Sequence, residues 1–381
     1  MEDAINGQAY LEMMLQQAKG KRPGFSEFSE YLESKAREKG IPIRGQLELT
    51  PLCNFNCKMC YVHLLPEQMQ GRSMLTAAQW KELIHQAWEN GMFQATLTGG
   101  ECLTYPRFDD IYLYLHSLGC EVDVMTNGLL LDENRIHFFR DHPPASIQIT
   151  LYGSNDDAYE KVTGRRAFGM VAENIRRAEE ADLPVMLSMT PCSYLGEDAL
   201  ETLRFAHDTG HKVLINSMLF TPHKETGRTG IDAEADINLY VQLYRLKAEL
   251  EGKRLNDHYD GKLPEPGGPH HECMECGLQC GGGRSGFVMN WKGEMLPCNR
   301  LDMIMEYPMR DGFAAAWTNL NRRVEDWPRI PECEGCAYET VCNHCAANIL
   351  QFGEPGKKPE KLCERTMHFV RHGIWERPDC E

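Results

Sequence analysis

Residues 48–65 read ELTPLCNFNCKMCYVHLL and place Cys53, Cys57 and Cys60 within eight residues. Two or four cysteines would read as a disulfide or a closed tetrahedral metal site, but three leave such a site one ligand short. Soft thiolates select zinc, copper(I) or iron–sulfur clusters. A C-x3-C-x2-C loop can wrap a cubane and give three of its irons one thiolate each, with the fourth iron open to an exchangeable ligand. A zinc reading needs a fourth donor, and His63 is the nearest.

Outward from this loop the chain repeats a rhythm. The run GQLELT just before it is followed by QATLTGG, EVDVMTNG, ASIQITLYG, PVMLSMTPC and HKVLINSML, all read as strands from their Val, Ile, Leu and Thr content. Between and after them lie helical patterns: TAAQWKELIHQAWENG, RFDDIYLYLHSLG, DENRIHFFRDH, AFGMVAENIRRAEEAD, EDALETLRFAHDTG and ADINLYVQLYRLKAELEG. Six β/α units predict a parallel sheet with helices outside, either an open doubly wound sheet or an incomplete barrel. Both keep their functional face at the C-terminal ends of the strands. The three-cysteine loop, Gly99-Gly100-Glu101 and Asn127-Gly128 follow strands one, two and three; Thr150 and Ser188 fall on strands four and five. These features converge on one rim and read as one site.

The flanks differ. Residues 1–44 form a helical extension in which Phe25, Phe28 and Leu32 recur at helical spacing. The barrel units occupy 45–252. The Pro/Gly-rich joint GKLPEPGGPHH closes a linker over 253–271, and a cysteine-rich segment spans 272–381. Nine of the 16 cysteines crowd between Cys273 and Cys363, where clustered cysteines read as metal ligands. GFVMNWKGEMLPC predicts a small hairpin turning at Lys292-Gly293, and the rest reads as loop and short helix that metal would hold together.

Composition excludes several classes. A net charge of −16 argues against nucleic acid as a main partner. No apolar run approaches the roughly 18 residues that span a bilayer, and MEDAINGQAYLEMMLQQAKGKR carries no signal-peptide core. The expected location is the cytoplasm, where disulfides are rare.

C-x3-C-x2-C after strand one, an aromatic after its last cysteine, and Gly-Gly-Glu after strand two resemble the radical S-adenosylmethionine (SAM) enzymes. The resemblance implies an α/β fold, a partial (β/α)6 TIM-like barrel, with a 4Fe–4S cluster on Cys53, Cys57 and Cys60. It implies S-adenosylmethionine on the open iron, cleaved reductively to a 5′-deoxyadenosyl radical that takes hydrogen from substrate. Gly99 and Gly100 would let the backbone approach the methionine moiety, and Glu101 would accept from its ammonium. Asn127, Thr150 and Ser188 would serve the carboxylate and ribose, and Met59 and Tyr61 would flank the adenine. The family often has Pro after Gly-Gly-Glu; here Cys102 stands there and reads as a small packed residue.

The C-terminal spacing resembles a SPASM domain, with one interval, Cys342 to Cys345, a residue short. That likeness implies two auxiliary 4Fe–4S clusters, making three in all. One would use Cys280, Cys298, Cys345 and an upstream cysteine, Cys276 or its rival Cys273. The other would use Cys333, Cys336, Cys342 and Cys363. A pair of zinc knuckles is the competing reading.

SPASM enzymes mostly act on peptides, so the resemblance favours maturation of a ribosomally made precursor peptide. The expected product is a C–C or thioether crosslink, or an epimer with Cys192 returning the hydrogen; Cys192 otherwise reads as a buried strand-end cysteine. The alternatives are oxidation of a protein side chain in the manner of sulfatase maturation, and a non-enzymatic iron–sulfur carrier or scaffold, against which the open iron argues. A flavodoxin- or ferredoxin-type reductant is implied. Residues 1–44 look too short for a leader-binding winged helix, so a separate leader-recognition protein is a possible partner.

Overall fold

The alternating runs resolve into six parallel strands. β1 is Arg44–Glu48, β2 Gln94–Thr98, β3 Glu121–Thr126, β4 Ser146–Leu151, β5 Val185–Met189 and β6 Val213–Ile215. The computed structural model describes residues 25–227, 233–255, 278, 280–339, 341–342 and 345–375. In the sheet, β1 to β6 lie in sequence order, with Leu47 opposite Leu97 and Thr150 opposite Ser188.

The side-chain alternation explains the shape. Leu47, Leu49, Leu97, Val122, Val124, Ile147, Ile149 and Leu187 face outward and are fully buried. Each such side chain contributes about 1.5–3 kcal/mol by leaving water. They pack beneath α2 (Ala77–Glu89), α3 (Phe108–Ser117), α4 (Glu133–Asp141), α6 (Phe168–Glu180) and α7 (Asp198–Asp208). Two further helices, α1 (Phe25–Lys39) and α8 (Ile237–Glu251), flank the six units, and a short one, α5 (Asp156–Thr163), was not expected. Parallel sheets usually bury apolar residues on both faces. Here the inner face carries Gln46, Thr96, Thr98, Asp123, Gln148, Thr150 and Ser188 instead. Residues of all six strand units wall one cavity, so the sheet wraps as a partial (β/α)6 barrel.

Helix starts follow their capping chemistry. Thr76 and Gln79 form a capping box on α2, Asp132 accepts from Arg135 N–H on α4, and Asn155 accepts from Ala158 N–H on α5. α5 stops at Gly164, whose φ of +73° suits glycine.

The C-terminal segment holds the largest departure from expectation. The hairpin forms, as β7 (Gly286–Met289) and β8 (Met295–Leu296), but it does not stand apart. β7 pairs in parallel with β1, Arg44 opposite Gly286 and Leu47 opposite Met289, giving a sheet order β6-β5-β4-β3-β2-β1-β7-β8. Nor is the remainder only loop and short helix. α9 (Phe313–Glu325) buries Phe313, Ala316, Trp317, Leu320 and Val324 in the shared core. Its Trp317 indole donates to Gly40 O at 2.6 Å, and its first N–H reaches Gln86 of α2 at 2.9 Å. α10 (Ala346–Phe352) and α11 (Glu360–Arg371) follow, and Phe369 of α11 packs edge-on against Tyr244 of α8. Among the described residues no helix is long and apolar enough to cross a membrane.

Candidate active site

The cysteine loop is folded by residues the sequence reading passed over. Asn56 N–H donates to Thr163 O and Lys58 N–H to Val162 O, both at 3.0 Å, so the loop is pinned to the last carbonyls of α5. Those carbonyls have no partner within the helix and need donors from outside. Phe55 is buried with its ring edge-on to Tyr152 and Tyr159, at 5.9 and 6.2 Å. This anchoring turns Cys53, Cys57 and Cys60 toward the cavity, and all three line it.

The sulfurs are prepared for negative charge. Phe55 N–H points at Cys53 Sγ at 3.4 Å, His63 N–H at Cys60 Sγ at 3.3 Å, and Asn127 Nδ2 at Cys53 Sγ at 3.7 Å. Burial first, then the Glu101 carboxylate, push the Cys53 thiol up to about 12. Its ionisation therefore needs a neighbouring cation, which an iron centre supplies. Among the described residues no three His, Cys, Asp or Glu side chains converge on a point fit for a single metal ion. A multi-iron cluster, meeting each thiolate at a different iron, does not require such convergence. The donor set fits a 4Fe–4S cluster.

Gly99 and Gly100 have a nearer reason to be glycine than the one expected. A Cβ on Gly99 would lie 2.4 Å from Thr50 O, and one on Gly100 2.3 Å from Leu52 O. The second turn is thus clamped to the root of the cysteine loop, with Gly100 N–H on Thr50 O at 2.6 Å and Glu101 N–H on Leu52 O at 2.9 Å. Glu101 is 1% exposed, and its carboxylate accepts from Thr126 Oγ1 and Asn127 N–H, each at 2.8 Å, and from Leu103 N–H at 3.2 Å. Burial raises its pKa against those donors. In this arrangement Glu101 ties the turns after β2 and β3 together while still lining the cavity. Cys102 is fully buried and donates to Met125 O at 3.2 Å.

The cavity measures about 350 Å³. Met59, Tyr61, Gly99, Gly100, Glu101, Asn127 and Thr150 all line it. Ser188 is fully buried behind Thr150, 3.1 Å from its hydroxyl, and takes a hydrogen bond from Gln148 at 3.2 Å. Gln148, Thr190 and Asn216 also line the cavity and were missed, although Thr190 shares the inward face two residues beyond Ser188. Cys192 is not brought there. It is 0% exposed, absent from the cavity wall, and bridged to Glu234, with burial raising its thiol.

The C-terminal cysteines gather as two groups. Burial and the neighbouring Cys280 and Cys345 sulfurs push Cys298 up to about 11. Burial and the sulfurs of Cys363, Cys333 and Cys336 push Cys342 up to about 11. Asn348 N–H donates to Cys345 Sγ and Thr366 Oγ1 to Cys342 Sγ, both at 3.4 Å. Seven thiols thus gather as two groups, one of Cys280, Cys298 and Cys345 and one of Cys333, Cys336, Cys342 and Cys363, whereas Cys273 and Cys276 lie outside the described residues. The first group meets the cavity through Asn299. Tyr61 OH accepts from Asn299 Nδ2 at 2.6 Å, and Asn299 follows Cys298 in the chain.

A family model described as the Radical SAM superfamily matches residues 47–206. The sporulation killing factor maturation protein SkfB of Bacillus subtilis (strain 168) is 24% identical over 279 residues, 72% of this chain. The chain spans 64% of that relative's length. A probable GTP 3′,8-cyclase of Aeropyrum pernix is 30% identical over 274 residues, 68% of this chain and 74% of that protein. The crystal structure of Streptococcus suis SuiB bound to S-adenosylmethionine superposes with a TM-score of 0.67 at 15% identity, covering 94% of this chain and 88% of that one. SuiB bound to its precursor peptide SuiA gives 0.63. The matched segment runs from β1 into α7 and carries the cysteine loop at its start, so the residues that posed the question also answer it: this chain is an enzyme of the radical SAM superfamily.

Proposed function

We propose that this enzyme oxidatively modifies a peptide, in the manner of precursor-peptide maturation, by forming a crosslink after hydrogen abstraction. The observation that carries the reading is the contact between Tyr61 and Asn299. It joins the loop of Cys53, Cys57 and Cys60, which lines the cavity, to Asn299, which lines it too and directly follows Cys298 of the second group. An oxidation that begins with hydrogen abstraction leaves an electron to remove, and redox groups beside the substrate suit that need. SuiB with its precursor peptide and SkfB with its maturation role support a peptide as the substrate class.

When bound, a 4Fe–4S cluster with S-adenosylmethionine supplies a primary carbon radical able to take hydrogen from an unactivated C–H bond. The chain's own tasks are positional. Cys53, Cys57 and Cys60 would hold the cluster, the Phe55 and His63 N–H groups would stabilise their thiolates, and Glu101 fixes the facing turns. Cys280, Cys298 and Cys345 would hold one auxiliary cluster with an upstream ligand, and Cys333, Cys336, Cys342 and Cys363 a second. A small flavodoxin or ferredoxin would serve as reductant.

The test uses anaerobically reconstituted full-length protein with S-adenosylmethionine, a reductant and peptides encoded beside its gene. Expected are 5′-deoxyadenosine, a peptide lighter by two hydrogens, and about twelve irons per chain from three four-iron clusters. Absence of 5′-deoxyadenosine, or consumption of GTP with every peptide untouched, overturns the reading.

A further inference from the structure

A second cavity of about 250 Å³ lies between the end of β1, the loop after β6 and the β7–β8 hairpin. Val62, Gly99 and Asn299 wall both this cavity and the larger one, so the two adjoin. At its centre of charge is Glu48, on the inward face of β1 two residues beyond Gln46. Glu48 is 8% exposed, and among the described residues its carboxylate has no hydrogen bond and no ion pair. A buried carboxylate without a donor is costly, and native proteins usually supply one.

The other charges of the pocket are matched among themselves. Lys292 Nζ lies 2.7 Å from Glu225 and 2.9 Å from Glu294, Arg72 reaches Glu225 at 2.7 Å, and His223 faces Asp302 at 3.7 Å. Lys292 and His223 act on Glu48 from a distance only. On the apolar side stand Val62, Leu64, Leu296 and Met305. A guest with a hydrocarbon stem and a positive tip matches both halves of this lining, as long basic side chains do elsewhere.

We propose that this pocket receives the cationic end of a substrate side chain, a primary ammonium or a guanidinium, with the Glu48 carboxylate as its partner. The assignment rests on the substrate being held in the adjoining cavity, as proposed above, and names the class of residue it presents. Specificity of this kind comes from a buried polar group that a neutral analogue leaves unpaired.

The probes are n-butylammonium and n-butylguanidinium chloride, with n-butanol as the neutral control. They are titrated by calorimetry into reconstituted full-length protein saturated with S-adenosylmethionine. Wild-type protein should bind at least one cation, Glu48→Gln should weaken that binding tenfold or more, and n-butanol should bind no better than it does to the variant. The comparison between the two cations decides which tip is preferred. A second readout needs no variant. From about pH 6 to pH 8 wild-type affinity should rise about tenfold as Glu48 ionises. Of the groups around it, Lys292 is raised and Glu225 lowered by their mutual pairing, Tyr61 is raised by burial, and His223 is raised by Asp302 and by Glu48 itself. Equal affinities for wild type and Glu48→Gln, pH-independent binding, or n-butanol binding as tightly as the cations each overturn the assignment. Binding is read without turnover, so the two proposals fail separately. A peptide processed by protein that ignores both cations sinks this inference alone, and cation binding without any peptide product sinks only the proposed reaction.

Discussion

Replacing Glu48 by Gln should stabilise the protein in mild alkali and leave it nearly unchanged in mild acid. Burial lifts the Glu48 carboxyl from 4.5 to about 7, with His223 and Lys292 opposing the rise. The folded state therefore holds this proton more tightly than the unfolded chain does. The stabilising contribution is complete below the unfolded value and is lost as pH climbs through the folded one. A difference of about 2.5 pH units corresponds to about 3 kcal/mol of destabilisation once Glu48 is ionised in both states. Between about pH 5.5 and pH 8.5 the single group costs the wild type about 2 kcal/mol. The Gln variant, isosteric and uncharged, should lack that slope. For a chain of 381 residues an advantage of 3 kcal/mol is worth about 4 °C in melting temperature. Calorimetric scans of both proteins across the pH range, without added amines, check this. Parallel curves for wild type and variant would refute the argument, because Glu48 would then titrate alike folded and unfolded.

Three other substitutions probe the site. Gly100→Ala places a methyl group 2.3 Å from Leu52 O and 2.8 Å from Pro51 O; it should cost about 2 kcal/mol or more and lower iron retained at Cys53, Cys57 and Cys60, measured by iron content and 5′-deoxyadenosine yield. Asn127→Ala removes the 2.6 Å bond to Asn54 and the 3.0 Å bond accepted from Leu129 N–H; a loss of about 1–2 kcal/mol with weaker S-adenosylmethionine binding is expected in denaturation and equilibrium-binding assays. Cys192→Ala should cost about 1 kcal/mol of packing yet leave product formation intact; normal 5′-deoxyadenosine release without product would restore Cys192 as a hydrogen donor.

The strands and most of the helices were legible because their alternation and capping residues are local signals. β2 to β6 fall within the runs that mark them, β1 starts one residue before its run, and α2 lies between its Thr76 box and Gly91 as its pattern implies. α5 was overlooked though Asn155 and Gly164 bracket it, since eight residues add little periodic signal between two longer elements. The hairpin was visible in WKG, but its pairing with β1 was not. No local pattern states that Gly286 will lie beside Arg44. Cys192 follows β5 closely enough to read either as a rim thiol or as a buried strand-end cysteine; with the bridge to Glu234 it is buried. Glu48 looked like one more residue of a strand, because its missing partner is a property of three segments far apart in sequence. Gly99 and Gly100 were read toward a ligand, whereas their tightest constraint is a pair of carbonyls, Thr50 O and Leu52 O, three residues and one residue before Cys53.

Because β7 comes from the last third of the chain yet flanks β1, the barrel cannot be tailored into a shorter catalyst by trimming away its cysteine-rich segment. Cutting near residue 252 would strip the strand that bears the cysteine loop of its neighbour and leave its backbone groups open to pairing with another molecule. The same cut would delete Trp291, Lys292 and Asn299 from the walls around the substrate space. Synthesis must therefore run past Met289 before the first strand is finished on both sides, which makes assembly long-range and, by that token, slow.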